Sequence, residues 1–190
     1  MSITFNSYTE NSFNGYDASV TAKSAQFMSE INGVTTASNG SFDMTLSSKV
    51  VLNSAGFNQS LTDLKINIAS MTYNITSAGS TKVYEYKNYV LHNTTQNNQV
   101  SQSINGSINI PTLGSNTATI KTLKNFVSPV ANTVSSSLPY PTDGIALVTF
   151  KQGGTIRATA NGTSSALVEL DQDGDGKFET SKQVPWSDIL

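Results

Sequence analysis

Leu64-Lys65-Ile66-Asn67-Ile68-Ala69-Ser70-Met71-Thr72-Tyr73-Asn74-Ile75 decides the fold class. Apolar residues stand at 64, 66 and 68 and again at 71, 73 and 75, with polar side chains between them. A period of two puts alternate side chains on opposite faces of a strand and does not fit the 3.6-residue period of a helix. The slipped step between Ile68 and Met71 predicts a β-bulge near Ala69-Ser70.

The same alternation continues on both sides. Upstream, Phe42, Met44 and Leu46 lead to Val50 and Leu52 in a long strand. Ala18 to Ile31 fits a strand, and Ala22, Ala25 and Met28 would also fit one helical face. The Asn32-Gly33 pair, followed by Val34-Thr35-Thr36, favours a hairpin. Residues 1–17 hold a short strand and a lead-in. Downstream come Tyr84, Tyr86, Tyr89 and Leu91, then Val100, Ile104, Ile108 and Ile110 before Pro111, then Ala118, Ile120 and Thr122. Three tight strands follow, Ile145 to Phe150, Thr155 to Ala160 and Ala166 to Leu170, with turns at Gly153-Gly154 and Asn161-Gly162. Five Asn-Gly pairs read as turn signals. The expected fold is all-β and antiparallel, with about ten strands, mostly a meander. It would be a curved sheet (a partial barrel) or a two-layer sandwich. At 190 residues the chain suits one domain, 1–190. The Pro- and Ser-rich stretch 126–143 is the place for a long crossover, or for an internal boundary near 128–143.

Register is predictable for the hairpin around Asn161. A three-residue loop, Asn161 to Thr163, sets Ile156, Ala158 and Ala160 on the face of Ala166, Val168 and Leu170. It leaves Arg157 diagonal to Glu169 on the outer face.

The chain then reaches its chemically loudest stretch, Asp171-Gln172-Asp173-Gly174-Asp175-Gly176-Lys177-Phe178-Glu179. Four of the 13 acidic residues fall here, which is self-repelling without a cation. Hard oxygen donors without His or Cys favour calcium or magnesium, and a flexible, carboxylate-rich loop favours Ca2+. The expected metal ligands are Asp171, Asp173, Asp175, Glu179 and the carbonyl of Lys177. An EF-hand needs a Glu at loop position twelve, which here is Lys182. The spacing D-x-D-x-D-G-x-x-E instead resembles calcium loops set between two strands, as in integrin-type sites. Trp186, behind Pro185, is expected to form the apolar base of this hairpin.

Composition excludes several functions. Only 13% of residues are charged and the net charge is −2, while Ser, Thr and Asn number 27, 23 and 19. No basic stripe for nucleic acid or anionic lipid follows from such a chain. Zero Cys excludes disulfides and thiolate metal sites. No apolar run approaches the roughly 20 residues of a membrane span. The six Asn-x-Ser/Thr sequons are about what this composition gives by chance.

Residues 140–190 combine Tyr140-Pro141-Thr142-Asp143-Gly144, a strand pair, the Asp-rich loop and Trp186. In this they resemble uncharacterised exported bacterial β-domains carrying a hairpin calcium loop. The resemblance implies an extracytoplasmic location, periplasmic or at the cell surface, often as a lipoprotein. The lipidated Cys of such proteins is not in this sequence and would lie upstream of Met1. No activity comes with the resemblance.

Catalytic signals are sparse. His92 is the one histidine and is expected in an exposed turn beside Asn93-Thr94-Thr95. A Ser–His–Asp arrangement could form only by the fold, since no Gly-x-Ser-x-Gly elbow, phosphate loop or Cys nucleophile is present. Glu10, Asp17, Glu30, Asp43, Asp63, Glu85, Asp143 and Asp188 show no spacing that singles out a glycosidase pair. Tyr84 and Tyr86 are expected on one face of their strand and Tyr89 on the other, as packing residues or as a sugar-stacking platform. The expected function is therefore non-catalytic: a calcium-stabilised structural or interaction domain of a bacterial envelope protein, with a protein or glycan partner. The alternative is a ligand- or carbohydrate-binding β-domain with an apolar cavity or aromatic platform.

Overall fold

Tight two-residue turns set the connectivity. Ala78-Gly79 and Asn97-Asn98 all have positive φ, and they join strand ends paired as Ser77↔Ser80 and Gln96↔Gln99. Such turns match the twist of the strands they connect. The computed structural model describes residues 2–11, 15–31, 33–52, 58–111, 116–130 and 140–189. Its strands are β1 (Ser2–Asn11), β2 (Gly15–Ile31), β3 (Val34–Leu52), β4 (Asn58–Ser77), β5 (Ser80–Gln96), β6 (Gln99–Ile110), β7 (Asn116–Pro129), β8 (Asp143–Phe150), β9 (Thr155–Thr159), β10 (Ser165–Asp171) and β11 (Thr180–Pro185). All eleven belong to one antiparallel sheet, in sequence order from edge to edge. The expected meander is therefore the fold. The sheet does not close into a barrel, because β1 and β11 lie at opposite edges. It is also one sheet, not two. β7 pairs directly with β8, so the stretch 126–143 makes no crossover. An internal boundary there would fall largely on residues 131–139, outside the described residues.

The alternation sorts the side chains onto two faces. Met44, Ile66, Leu91 and Ile104 lie in one cross-strand row of the apolar face. On the other face Ser41, Ser70, Lys87, Ser107, Thr119, Thr149, Thr155 and Asp171 form a continuous polar row from β3 to β10. Short and β-branched hydroxyl residues suit a pleated surface open to water, which accounts for the Ser and Thr content. Thr76–Thr81 and Thr149–Thr155 hydroxyl pairs, 2.8 and 3.3 Å apart, bridge neighbouring strands.

Bulges keep the apolar face in phase. The pairing of β3 with β4 slips between Ser41 and Asp43, where Asn67 and Ser70 take up the register. This is the bulge expected near Ala69-Ser70. A second slip lies in β5 between Lys87 and Val90, where Asn88 has φ +49°. Two of the five Asn-Gly pairs are not turns. Gly40 and Gly106 sit inside β3 and β6 at φ +144° and +141°. A Cβ on Gly40 would lie 2.5 Å from the Ser70 carbonyl oxygen, and one on Gly106 2.5 Å from Tyr89 Cα. The neighbouring strand thus approaches each glycine too closely for any side chain, beside a bulge in each case. The row through Gly40 reaches β6 at Ile108, two residues from Gly106, so the two glycines lie on an oblique line across the sheet.

Burial concentrates at the C-terminal end. Among the described residues the buried apolar side chains are Ala118, Ala146, Ala160, Ala166 and Trp186. Trp186 meets Phe126 edge to face at 6.1 Å and packs with Ala160 and Ala166. Its backbone N–H donates to the Ser164 carbonyl, at the end of β10 remote from Asp171. The acidic loop is therefore about 20 Å away along the strand, and Trp186 is not its base. The β9–β10 register pairs Ile156 with Leu170 and Ala158 with Val168, keeping the apolar residues together as expected. It is shifted by two residues from the three-residue-loop register, which puts Arg157 directly opposite Glu169. The wider loop is held by Thr163: its N–H and hydroxyl bond to Asn161 Oδ1, and the hydroxyl also reaches the Ser165 carbonyl.

Candidate metal centre

Asp171 is both the last residue of β10 and the end of the polar row, opposite Thr155. It is buried, at 3% exposure. A buried carboxylate requires donors, and the loop provides them. The Gly174 N–H donates to Oδ1 at 2.7 Å and the Gly176 N–H to Oδ2 at 3.0 Å. The chain thus curls around Asp171. The next two carboxylates repeat a shorter turn: Asp173 accepts from the Asp175 N–H at 3.1 Å, and Asp175 from the Lys177 N–H at 2.8 Å. Glu179 closes the loop by accepting from the Gln172 N–H at 2.9 Å, while its own N–H donates to the Leu170 carbonyl.

One ligand atom from each of Asp171, Asp173, Asp175 and Glu179 lies within 4.8 Å of all the others, an arrangement able to hold a metal ion. Lys177 lies in the same loop. Its ammonium is 2.9 Å from Asp175 Oδ2, which holds the Asp175 carboxyl below the usual range. One Lys against four carboxylates leaves the loop a negative excess, most of which a divalent cation would offset.

Two supports of this loop are not legible in the pattern of acidic residues. Gly154, in the β8–β9 turn, is buried against it: a Cβ there would meet the Asp171 and Gln172 carbonyl oxygens at 3.3 Å. On the exit side, the Arg157 guanidinium lies 4.1 Å from the centre of the Phe178 ring. The strand out of the loop starts at Thr180 rather than Phe178.

The remaining candidates are dispersed. His92 is in the middle of β5, not in a turn, with Nε2 3.0 Å from Asp63 Oδ1. Lys65 stands across from it on one side and Ser103 on the other. No hydrogen bond joins His92 to Ser103 among the described residues, and the strand N–H groups around them serve the sheet. Asp143 pairs with Lys124 at 2.6 Å, which holds its carboxyl low, and Glu85 pairs with Lys87 at 3.2 Å. Tyr89 shares the face of Tyr84 and Tyr86, contrary to strict alternation, because the bulge at Asn88 inverts the phase. Tyr73, opposite Tyr84, adds a fourth tyrosine, and the Tyr86 and Tyr89 rings meet edge to face at 5.5 Å. Burial pushes the hydroxyl pKa values of both Tyr86 and Tyr89 up, with neighbouring tyrosines adding to it. Along β4 and β5 these four rings form one group on the apolar face. Comparison with protein-family models, with curated proteins and with solved structures gives no match to this chain.

Proposed function

We propose that this chain is an exported bacterial envelope domain in which one calcium ion closes the β10–β11 hairpin, with a structural or interaction role and no catalysis. The observation that carries the reading is the acidic cluster with its 4.8 Å span. Calcium–oxygen distances of about 2.3–2.6 Å let oxygens on opposite sides of the ion stand about 5 Å apart, whereas magnesium draws them to about 4.2 Å. The main-chain oxygen of Lys177 is the fifth protein donor, and water completes the shell. The ion offsets the repulsion among the carboxylates and ties the end of β10 to the start of β11. Millimolar calcium outside the cytoplasm would fill so exposed a loop, and the resemblance of residues 140–190 to exported β-domains supports that location.

The test is a thermal melt in chelator against one in calcium. Extracellular modules have dissociation constants of about 0.1–1 mM. About 2 mM calcium should then raise Tm by roughly 1–7 °C. Magnesium should do less, and Asp173→Ala should abolish the shift. An unchanged Tm together with no heat of calcium binding would refute the ion. The non-catalytic part is tested on esterase and glycosidase substrates: a hydrolysis lost in His92→Ala would overturn it.

A second reading, a carbohydrate-binding β-domain, is favoured by one observation: Tyr73, Tyr84, Tyr86 and Tyr89 share a face. Its mark would be an oligosaccharide affinity that falls in Tyr86→Ala with the fold retained.

A further inference from the structure

The sheet lacks a layer. No residue of 34–49 or 61–109 is buried, although β3 to β6 carry an apolar face of Met44, Ile66, Met71, Leu91 and Ile104 with the tyrosine group at its centre. In a closed two-layer core such side chains are withdrawn from water on both sides. Here each is half-buried, screened by neighbours in its own sheet.

We propose that a second copy of this chain covers that face, with β3 to β7 of the two copies packed apolar side to apolar side across a two-fold axis. Two observations select this occupant. First, the described side chains that the register assigns to this face of β3 to β7 carry one charge, Lys82, near the turn after β4. Asp43, Asp63, Lys65, Glu85, Lys87 and His92 are on the other face. Charge-poor centres rich in aromatic residues mark the cores of stable interfaces. Such a face carries no pattern that asks for an oppositely charged partner, and it can serve as its own complement.

Second, the area fits. Five strands about 4.8 Å apart, each at least 12 residues long at about 3.3 Å per residue, span roughly 950 Å². Two copies would bury about 1,900 Å², which lies in the range of stable specific complexes. Two such sheets facing each other pack as the layers of a sandwich do. The layered core then forms between chains instead of within one. This proposal gives the interaction role its partner and does not depend on the ion, so its failure would leave the calcium reading standing.

The chain has no Cys, so single cysteines report cleanly. Ile104→Cys lies on the apolar face and Ser107→Cys on the polar face of the same strand, β6. In a dimer the thiol at 104 should react more slowly with a soluble reagent as protein concentration rises over about two decades. The thiol at 107 should react at one rate throughout. Sedimentation of the wild-type chain should approach twice 20.2 kDa over the same range. Ile104→Lys should return it to one chain with its β-sheet circular dichroism kept. If that variant fails to fold, the thiol and sedimentation readings still decide. A 20.2 kDa species at every concentration overturns the proposal. So does a thiol at 104 that gains protection only when a detergent or an oligosaccharide is added, since a small ligand would then be the occupant.

Discussion

Arg157 and Glu169, directly opposite on β9 and β10, are joined by two parallel charge-assisted hydrogen bonds, Nε to Oε2 at 2.5 Å and Nη2 to Oε1 at 2.7 Å. The same guanidinium covers Phe178 at the exit of the acidic loop. Glu169 keeps 17% of its side chain exposed, so the fork is partly shielded from water. Only a planar, rigid cation makes both contacts at once. Arg157→Lys should therefore cost about 1 kcal/mol, a fall in Tm of roughly 2–4 °C. It should also weaken calcium binding by loosening Phe178, and titration of both proteins checks this.

The hydrogen bonds from Arg157 hold the Glu169 carboxyl below its ordinary value. The proton is thus bound more weakly in the folded state than in the unfolded one. The stability from this pair is present above the ordinary carboxylate pKa and is lost as pH falls through the lower folded value. Acid titration of Tm should show a fall that Glu169→Gln flattens. Identical acid limbs in the two proteins would refute the coupling.

Gly106→Ala should be among the most damaging single changes in β6. Its Cβ would collide with the Tyr89 backbone, and φ +141° is unfavourable for any side chain. A loss of about 2–4 kcal/mol is expected by denaturant titration.

Asp171→Asn should destabilise the protein even in chelator, by about 1–3 kcal/mol. The carboxylate accepts from two N–H groups, and an amide nitrogen would confront one of them. Asp175→Asn, at an exposed position, should change the chelator melt little while still weakening calcium binding. Paired melts in chelator and calcium separate the two roles.

Trp186 is 4% exposed and packs against Phe126, so its emission should be that of a shielded indole. It lies at the end of β10 away from Asp171, so calcium should leave that emission unchanged. Trp186→Ala should cost about 3–5 kcal/mol. Emission at the wavelength of water-exposed indole in the folded protein would contradict the packing.

Much of the fold was legible because a period of two is a local property of the chain. Leu64 to Ile75 shows both the strand and its bulge, and the carboxylates at 171, 173, 175 and 179 lie within one short loop. What escaped depends on neighbours far along the chain. Asn39-Gly40 and Asn105-Gly106 look like turns, yet each serves a close approach by an adjacent strand. The phase of Tyr89 was hidden because the bulge at Asn88 is set by its pairing with β6. The place of His92 is hidden for a related reason: Asn93-Thr94-Thr95 resembles a turn but continues the strand. Trp186 is close to the acidic loop in sequence but not in space, because β11 runs back along β10 and delivers it beside Ser164. The Arg157–Phe178 stack joins residues of different strands, and no spacing announces it.

The strictly sequential strand order has a mechanical consequence. β1 and β11 lie at opposite edges, so tension applied through them acts across the hydrogen-bond rows rather than along the strands. The sheet should then open like a zipper, row by row and strand by strand, at low force and in many short steps. A calcium-loaded β10–β11 hairpin would act as a clasp at one edge, delaying the start of peeling there and leaving the opposite edge to yield first.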